Sequence, residues 1–120
     1  MSKSYDFGQT AENHAALFLQ KKGYAVLARN FRYLKAEIDL IVRKENTLVV
    51  VEVKARSTLN FGTPASFIGK KKIRLLLQAA DYFVQAQDLD VDVRFDIISI
   101  FNYQGKWTVE HLENAFYPFT

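Results

Sequence analysis

Apolar residues recur at helical spacing in two segments of the chain. This pattern predicts one helix over about residues 8–22 and another over about residues 70–87. Gly23 follows the first segment, where a helix C-terminus favours glycine. The spaced residues are Ala11, Ala15, Phe18 and Leu19 in the first helix and Ile73, Leu76, Leu77, Ala80 and Phe83 in the second.

Five other segments have the composition of β-strands, and they cover residues 24–33, 37–45, 48–56, 93–101 and 105–112. The third of these, LVVVEVKAR, is apolar at consecutive positions, which is typical of a central strand covered on both faces. Glu45-Asn46-Thr47 predicts a hairpin turn between the second and third strands, and Gln104-Gly105 predicts one between the last two. The predicted order is therefore αβββαββ.

This order predicts an α/β fold with a mixed β-sheet flanked by helices. No low-complexity linker or repeat divides the 120 residues, so we expect a single domain over residues 1–120. Residues 57–69 contain Gly62 and Pro64 and are predicted to form a loop. The last residues, 113–120, are predicted to form a tail whose aromatic side chains are exposed or dock elsewhere.

Composition narrows the functional classes. The absence of cysteine excludes disulfides and thiolate zinc sites. The apolar runs are too short to span a membrane, and no signal peptide is recognisable, so a cytoplasmic protein without membrane association is expected. The net charge is only +3, but residues 21–74 carry 13 Lys/Arg against 4 Asp/Glu. A basic face that binds phosphates and an ordinary solvated surface explain that bias equally well.

Two opposite charges interrupt the most apolar strand. Glu52 and Lys54 are two residues apart and therefore project from the same face, whereas Val51 and Val53 project from the other. Buried charge is costly unless it is paired or binds a metal. A simple Glu52–Lys54 ion pair at a sheet edge is the alternative, and the surrounding valines argue against an edge.

Asp39 lies in the preceding strand, and the hairpin count places it opposite Glu52. Two carboxylates facing each other are unfavourable in a sheet unless a cation binds between them. Their oxygens, with the Val53 carbonyl and water, suit Mg²⁺ or Mn²⁺. Lys54 would then orient or help deprotonate an attacking water, or stabilise charge on a phosphate.

Two further acids are candidates. Glu12 lies on the apolar stripe of the first helix, so it is expected to point inward or toward a cleft. It is either an ordinary acid of the first helical turn or a further ligand of metal or water. Glu37 either assists Asp39 or is a solvated residue at the start of the strand.

Several motifs occur in order between Gly8 and about Ile98: G-x-x-x-E, GYAVLARNFR, EIDLI, VVVEVKAR, FGTP, a lysine-led helix with two alanines, and RFDII. Together they resemble the PD-(D/E)xK nuclease superfamily, which has the restriction-endonuclease-like fold. Within it, the chain is similar to the YraN-like family of small bacterial proteins and to archaeal Holliday-junction resolvases.

The resemblance implies roles for four residues. Asp39 and Glu52 match the metal-binding acids, Lys54 matches the catalytic lysine, and Glu12 matches the helix-borne glutamate of the resolvase relatives. The implied activity is Mg²⁺- or Mn²⁺-dependent endonuclease cleavage of DNA, including branched or flap structures, and the resolvase relatives work as homodimers. Ala36 departs from the pattern, because the family usually has glycine before EIDLI.

Six basic residues are predicted to contact nucleic acid. Cations at a helix N-terminus oppose the helix dipole, a cost that a phosphate would offset; a solvated charge run is the alternative. Four of the six lie at the start of the second helix: Lys70, Lys71, Lys72 and Arg74. The other two, Arg56 and Arg32, lie in predicted strands.

His14 and His111 are expected to be surface or packing residues. The rival functions are a non-catalytic nucleic-acid-binding module and a protein-interaction subunit that uses the aromatic tail, residues 116–119.

Overall fold

The computed structural model describes residues 3–56 and 68–116, with side chains described from residue 7 onward. The predicted order αβββαββ is confirmed. The elements are α1 (Lys3–Lys21), β1 (Ala25–Tyr33), β2 (Ala36–Lys44), β3 (Thr47–Arg56), α2 (Lys70–Ala86), β4 (Asp92–Tyr103) and β5 (Lys106–Leu112).

The strands form one mixed sheet in the order β1-β2-β3-β4-β5. Neighbouring strands are antiparallel, except that β3 and β4 are parallel and α2 connects them. Two-residue turns close the antiparallel hairpins, and left-handed residues at Leu34, Glu45, Gln104 and Gly105 match the tight reversal that such turns require. Both hairpin turns predicted from the sequence are confirmed.

The two helices cover opposite faces of the sheet. Alternate β3 residues separate into two cores: Val49 and Val51 pack with α1, whereas Leu48 and Val50 pack with α2. The prediction that β3 is covered on both faces is therefore confirmed, and the fold has three layers. Gly23, at φ 97°, ends α1 as predicted, and the Tyr24 amide donates to the Leu19 carbonyl as in a Schellman motif.

Strict alternation fails in the middle of β2. Ile38 and Ile41 both pack in the core on the α2 side, although they are three residues apart, whereas Leu40 packs on the α1 side. In the facing strand, Asn30 is left-handed with φ 50°. Asp39 therefore lies at the point in β2 where the side chains stop alternating regularly between the two faces of the sheet.

Some predictions differ from the structure or lie outside it. Helix α1 begins at Lys3, whereas the sequence predicted a start at about residue 8. The predicted start was late because the first turns are polar and lack the apolar stripe that marks the rest of the helix. Most of the predicted loop and the end of the tail, residues 57–67 and 117–120, lie outside the described residues. Among the described helices, none has the length and apolar character needed to cross a membrane.

Candidate metal centre

The candidate site lies where β2 separates from β3. The last cross-strand pair between these strands is Leu40 and Val51, whereas β3 continues to Arg56. Just beyond that pair, Asp39 Oδ2 accepts a hydrogen bond from the Val53 amide at 2.7 Å. The carboxyl groups of Asp39 and Glu52 lie close enough for each to act on the ionisation of the other. The predicted opposition of these two acids is therefore present in the fold.

This proximity has an electrostatic cost. Burial, followed by the hydrogen bond and negative charge of Glu52, raises the pKa of Asp39 from 3.8 to about 8, although the Val53 amide opposes the shift. Two adjacent carboxylates in a partly buried position cannot both ionise cheaply. A divalent cation between them would turn the repulsion into attraction.

Glu52 is buried at the bottom of this site. Its Oε2 atom forms an ion pair with the ammonium group of Lys72, but the contact lacks hydrogen-bond geometry, and no other donor among the described residues reaches that oxygen. The Lys72 side chain is 54% exposed, so its ammonium can leave without disturbing the core. Lys72 was predicted to contact phosphate; in the structure it neutralises Glu52, a tertiary contact that sequence spacing cannot reveal.

Lys54 follows Glu52 along the same face of β3. Burial, together with the positive charges of Arg56 and Lys72, lowers its pKa, and the negative charge of Glu52 opposes that shift. Arg56 is half-buried next to it. Strand β3 thus places Lys54, whose pKa is lowered, beside the two acids.

Glu12 approaches from helix α1. Its carboxylate accepts a hydrogen bond from the Asn30 side-chain amide at 2.9 Å and lies 3.8 Å from the Arg29 guanidinium. Burial raises its pKa; Arg29 and Asn30 oppose the shift, and the negative charges of Glu37 and Glu52 add to it. The left-handed backbone of Asn30 thus places an amide against Glu12. Glu12 points inward, as its position on the apolar stripe predicted.

A cavity of about 590 Å³ opens over the acids on the α2 side. Its described lining combines the two strands with the first turns of α2: Lys35, Ala36, Glu37, Asp39, Glu52, Gly69, Lys71, Lys72, Leu75 and Leu76. Arg32 is paired with Glu37 at 2.6 Å, which places it at the rim. Lys70 and Arg74 are exposed on α2. The cavity therefore has an acidic floor and a basic wall.

A second cluster lies on the opposite face of the sheet. One ligand atom from each of Asp96, His111 and Glu113 lies within 4.8 Å of the others, so the group could hold a metal ion. Sequence reasoning missed it. A signal was nevertheless present, because Arg94 and Asp96 are two residues apart on one strand, the same spacing that singled out Glu52 and Lys54.

Hydrogen bonds already satisfy this second cluster. Asp96 accepts two from Arg94 at 2.9 Å, one from the Asn114 amide at 2.9 Å and one from His111 Nε2 at 2.7 Å. Lys22 donates to His111 Nδ1, so Nε2 carries the hydrogen. A metal ion would have to displace the Arg94 guanidinium, so the cluster acts first as a structural network. His14 stacks on Trp107 at 4.4 Å, which confirms its predicted packing role.

Comparison with known proteins places the chain in a family. Residues 11–100 match the family described as Uncharacterised protein family UPF0102. The chain belongs to the UPF0102 family. A UPF0102 protein of Flavobacterium psychrophilum is 46% identical over 99% of this chain and 100% of its own length. Similar proteins of Christiangramia forsetii and Bacteroides thetaiotaomicron are 41% and 38% identical, the first over 99% and the second over 98% of this chain.

The residues that match the UPF0102 family include the whole of the first cluster but only part of the second. Glu12, Asp39, Glu52 and Lys54 all lie within the matched residues, whereas His111 and Glu113 lie beyond them. The first cluster also lies under the cavity of about 590 Å³. The Asp39–Glu52 centre is therefore the stronger candidate for a functional site.

The raised pKa of Asp39 predicts a pH-dependent stability difference in this UPF0102 protein. A carboxyl whose pKa is higher in the folded than in the unfolded state stabilises the fold at low pH, and that contribution is lost as pH rises from about 4 to about 8. In EDTA, the melting temperature of Asp39→Asn minus that of the wild type should therefore increase between pH 5 and pH 8. Thermal melts should show no such trend for Asp90→Asn, which changes an exposed acid. A constant difference for Asp39→Asn would contradict the cause assigned to the shift.

Proposed function

We propose that this UPF0102 protein is a divalent-metal-dependent endonuclease that cleaves DNA, including branched or flap structures. The observation that carries the proposal is the close approach of the Asp39 and Glu52 carboxyl groups on the floor of a cavity with a basic wall. The D…E-x-K order of Asp39, Glu52 and Lys54 supports it through its resemblance to PD-(D/E)xK nucleases.

The donor set fits a hard cation. Asp39 and Glu52 offer carboxylate oxygens, and Glu52 Oε2 is buried with only the ammonium of the half-exposed Lys72 against it, which a cation could replace. The Val53 carbonyl and Glu12 are further oxygen donors in the proposed site. Oxygen-only coordination suits Mg²⁺ or Mn²⁺ and not a thiolate metal.

The proposed reaction is hydrolysis of a phosphodiester. When bound, the metal would lower the pKa of a water molecule and neutralise charge on the phosphate. Water oxygen bonds to phosphorus, the bond to the leaving oxygen breaks, and the proton lost by the water is balanced by one gained at that oxygen. Lys54, with its lowered pKa, is positioned beside Glu52 to orient that water and to move its proton.

The start of α2 offers a phosphate-binding surface. Gly69 caps the helix without a side-chain hydrogen bond, the first turn contains no acid, and Gly69 and Lys71 line the cavity. Amide groups at a helix N-terminus attract anions, and the lysines add positive charge. DNA backbone held here would lie over Asp39 and Glu52. We include Lys70 and Arg74 in this surface because they are basic and exposed in the first turns of α2, Arg56 because it follows Lys54 on β3, and Arg32 because it pairs with Glu37 of the cavity.

A cleavage assay tests the proposal. Purified protein with Mn²⁺ is incubated with duplex, single-stranded, flap and four-way DNA, beside the double variant Asp39→Ala/Glu52→Ala. We expect the wild type to cut at least one substrate and the double variant to cut none. Equal cutting by both proteins would trace the activity to a contaminant, and the absence of cutting on all four substrates would reject the endonuclease.

A non-catalytic nucleic-acid-binding module is the second candidate. The observation that favours it is the Lys72–Glu52 ion pair, which neutralises an acid of the site without any metal. Calorimetry discriminates between the two functions. Salt-sensitive DNA binding without Mn²⁺ binding near neutral pH would select the binding module.

The ion pair itself leads to a prediction. Lys72 and a divalent cation compete for Glu52, so Lys72→Ala should bind Mn²⁺ at least about tenfold more tightly than the wild type does. Titration calorimetry of Lys71→Ala provides the matched control, since Lys71 lines the same cavity without being the ion-pair partner of Glu52. Weaker Mn²⁺ binding by Lys72→Ala would show that the lysine helps to hold the metal.

A further inference from the structure

An exposed aromatic surface lies beside the candidate centre. The rings of Tyr33 and Tyr82 stack with centroids 4.2 Å apart and an interplanar angle of 18°. Tyr82 is 47% exposed, and Leu34, at the turn between β1 and β2, is 77% exposed. These residues border a shallow cavity of about 290 Å³ together with Gln78, Asp81 and Gln85, and the Gln85 amide donates to the Asp81 carboxylate. We call Tyr33, Leu34 and Tyr82 the aromatic platform.

One exposed stripe of α2 connects the basic end of the helix with the platform. Lys70, Arg74, Gln78 and Tyr82 follow at intervals of four residues, and all four are exposed. Residues four apart are neighbours on a helix, so the stripe winds gradually around α2 and extends over about 18 Å at 1.5 Å per residue. It passes from two cations in the first turns of α2, through an amide, to an aromatic ring.

The turn between β1 and β2 makes the same connection. Leu34 belongs to the platform, and the next residue, Lys35, lines the cavity over Asp39 and Glu52. The two surfaces are therefore adjacent both along α2 and along this turn. An aromatic face held in solvent beside a basic track is the combination that binds single-stranded nucleic acid, because cations follow the phosphates while rings stack on bases.

We propose that the aromatic platform binds an unpaired base of a nucleic acid whose backbone follows Arg74 and Lys70 toward the start of α2, where Gly69 and Lys71 line the cavity over the candidate centre. The proposal rests on the proposed function and names its substrate class, a nucleic acid with a single-stranded segment beside the cleavage point. Gln78 is placed to hydrogen-bond the edge of a base that lies next to Tyr82.

Binding measurements test the platform separately from cleavage. Fluorescence anisotropy in EDTA, which prevents metal-dependent cutting, compares a labelled single-stranded oligothymidylate with a duplex. We expect Tyr82→Ala to weaken single-strand binding about tenfold with duplex binding unchanged, and Tyr82→Phe to bind like the wild type. Tyr103→Ala is the matched control, since Tyr103 is 46% exposed on the β4–β5 hairpin.

An abasic oligonucleotide sharpens this test, because it keeps the phosphates and removes the bases. The wild type should bind it as weakly as Tyr82→Ala binds the oligothymidylate. Equal loss of single-strand and duplex binding in Tyr82→Ala, or no loss of either, would overturn the platform. Base-dependent binding in a protein that cuts no substrate would uphold the platform and reject the endonuclease, so the two failures are distinguishable.

Discussion

Asp39→Asn is expected to reduce Mn²⁺-dependent DNA cleavage by at least about 10³-fold. Asparagine has the shape of aspartate and retains an oxygen that can accept the Val53 amide hydrogen bond, so the junction of β2 and β3 should keep its geometry. It cannot supply the negative charge that a divalent cation requires. Initial cleavage rates of wild type and variant on the best substrate measure the effect.

Glu37→Gln is the matched control for this variant. Glu37 lines the same cavity, but its carboxylate is paired with Arg32 at the rim. It should therefore keep cleavage within a few-fold of the wild-type rate. An Asp39→Asn variant that cuts as fast as Glu37→Gln would remove Asp39 from the metal centre and with it the proposed mechanism.

Asp96→Asn should lower the free energy of unfolding by about 3 kcal/mol, although the residue lies on the other face of the sheet. Burial alone would raise the pKa of Asp96, but hydrogen bonds from His111, Arg94 and the Asn114 amide lower it. The ionised carboxylate therefore stabilises the fold at neutral pH, and this contribution is lost as pH falls through its lowered pKa. An amide would face the donors of Arg94 with one of its own N–H groups.

Urea denaturation at pH 7 measures this loss. Glu113→Gln is the control, because Glu113 contacts the same guanidinium at 3.3 Å but is 53% exposed. Its removal should cost less than about 1 kcal/mol. If Asp96→Asn and Glu113→Gln lowered stability equally, the second cluster would not be a buried network. Stabilisation of the wild type by added Zn²⁺ or Mn²⁺ that is lost in Glu113→Gln would identify a metal site there instead.

The order of elements could be predicted because periodicity is a local signal. The stripe of α2, the consecutive valines of β3 and the tight turn at Glu45 and Asn46 each follow from residues within a few positions of one another. The start of α1 could not be predicted, since its first turns contain Gly8 and polar residues that match a loop as well as a helix.

The candidate site was predictable in part for the same reason. Period-two spacing places Glu52 and Lys54 on one face, and a hairpin count brings Asp39 opposite Glu52. The break in side-chain alternation around Asp39 in β2 was not predictable, because it accompanies a left-handed backbone at Asn30 in the neighbouring strand.

Contacts between distant segments escaped sequence reasoning altogether. Lys72 reaches Glu52 only because α2 folds back over β3. Asp96 meets His111 only because β5 pairs with β4, where Ile98 lies opposite His111. Such pairs depend on tertiary geometry, and spacing within a single segment carries no information about them.

The central claim is that Asp39 and Glu52 bind one divalent cation. Crystals soaked in MnCl₂ test it most directly through an anomalous difference map. We expect one manganese peak within about 2.2 Å of an oxygen of each carboxylate, with the Lys72 ammonium displaced from Glu52. Clear density for both side chains without a peak between them, or a peak only at Asp96, His111 and Glu113, would contradict it.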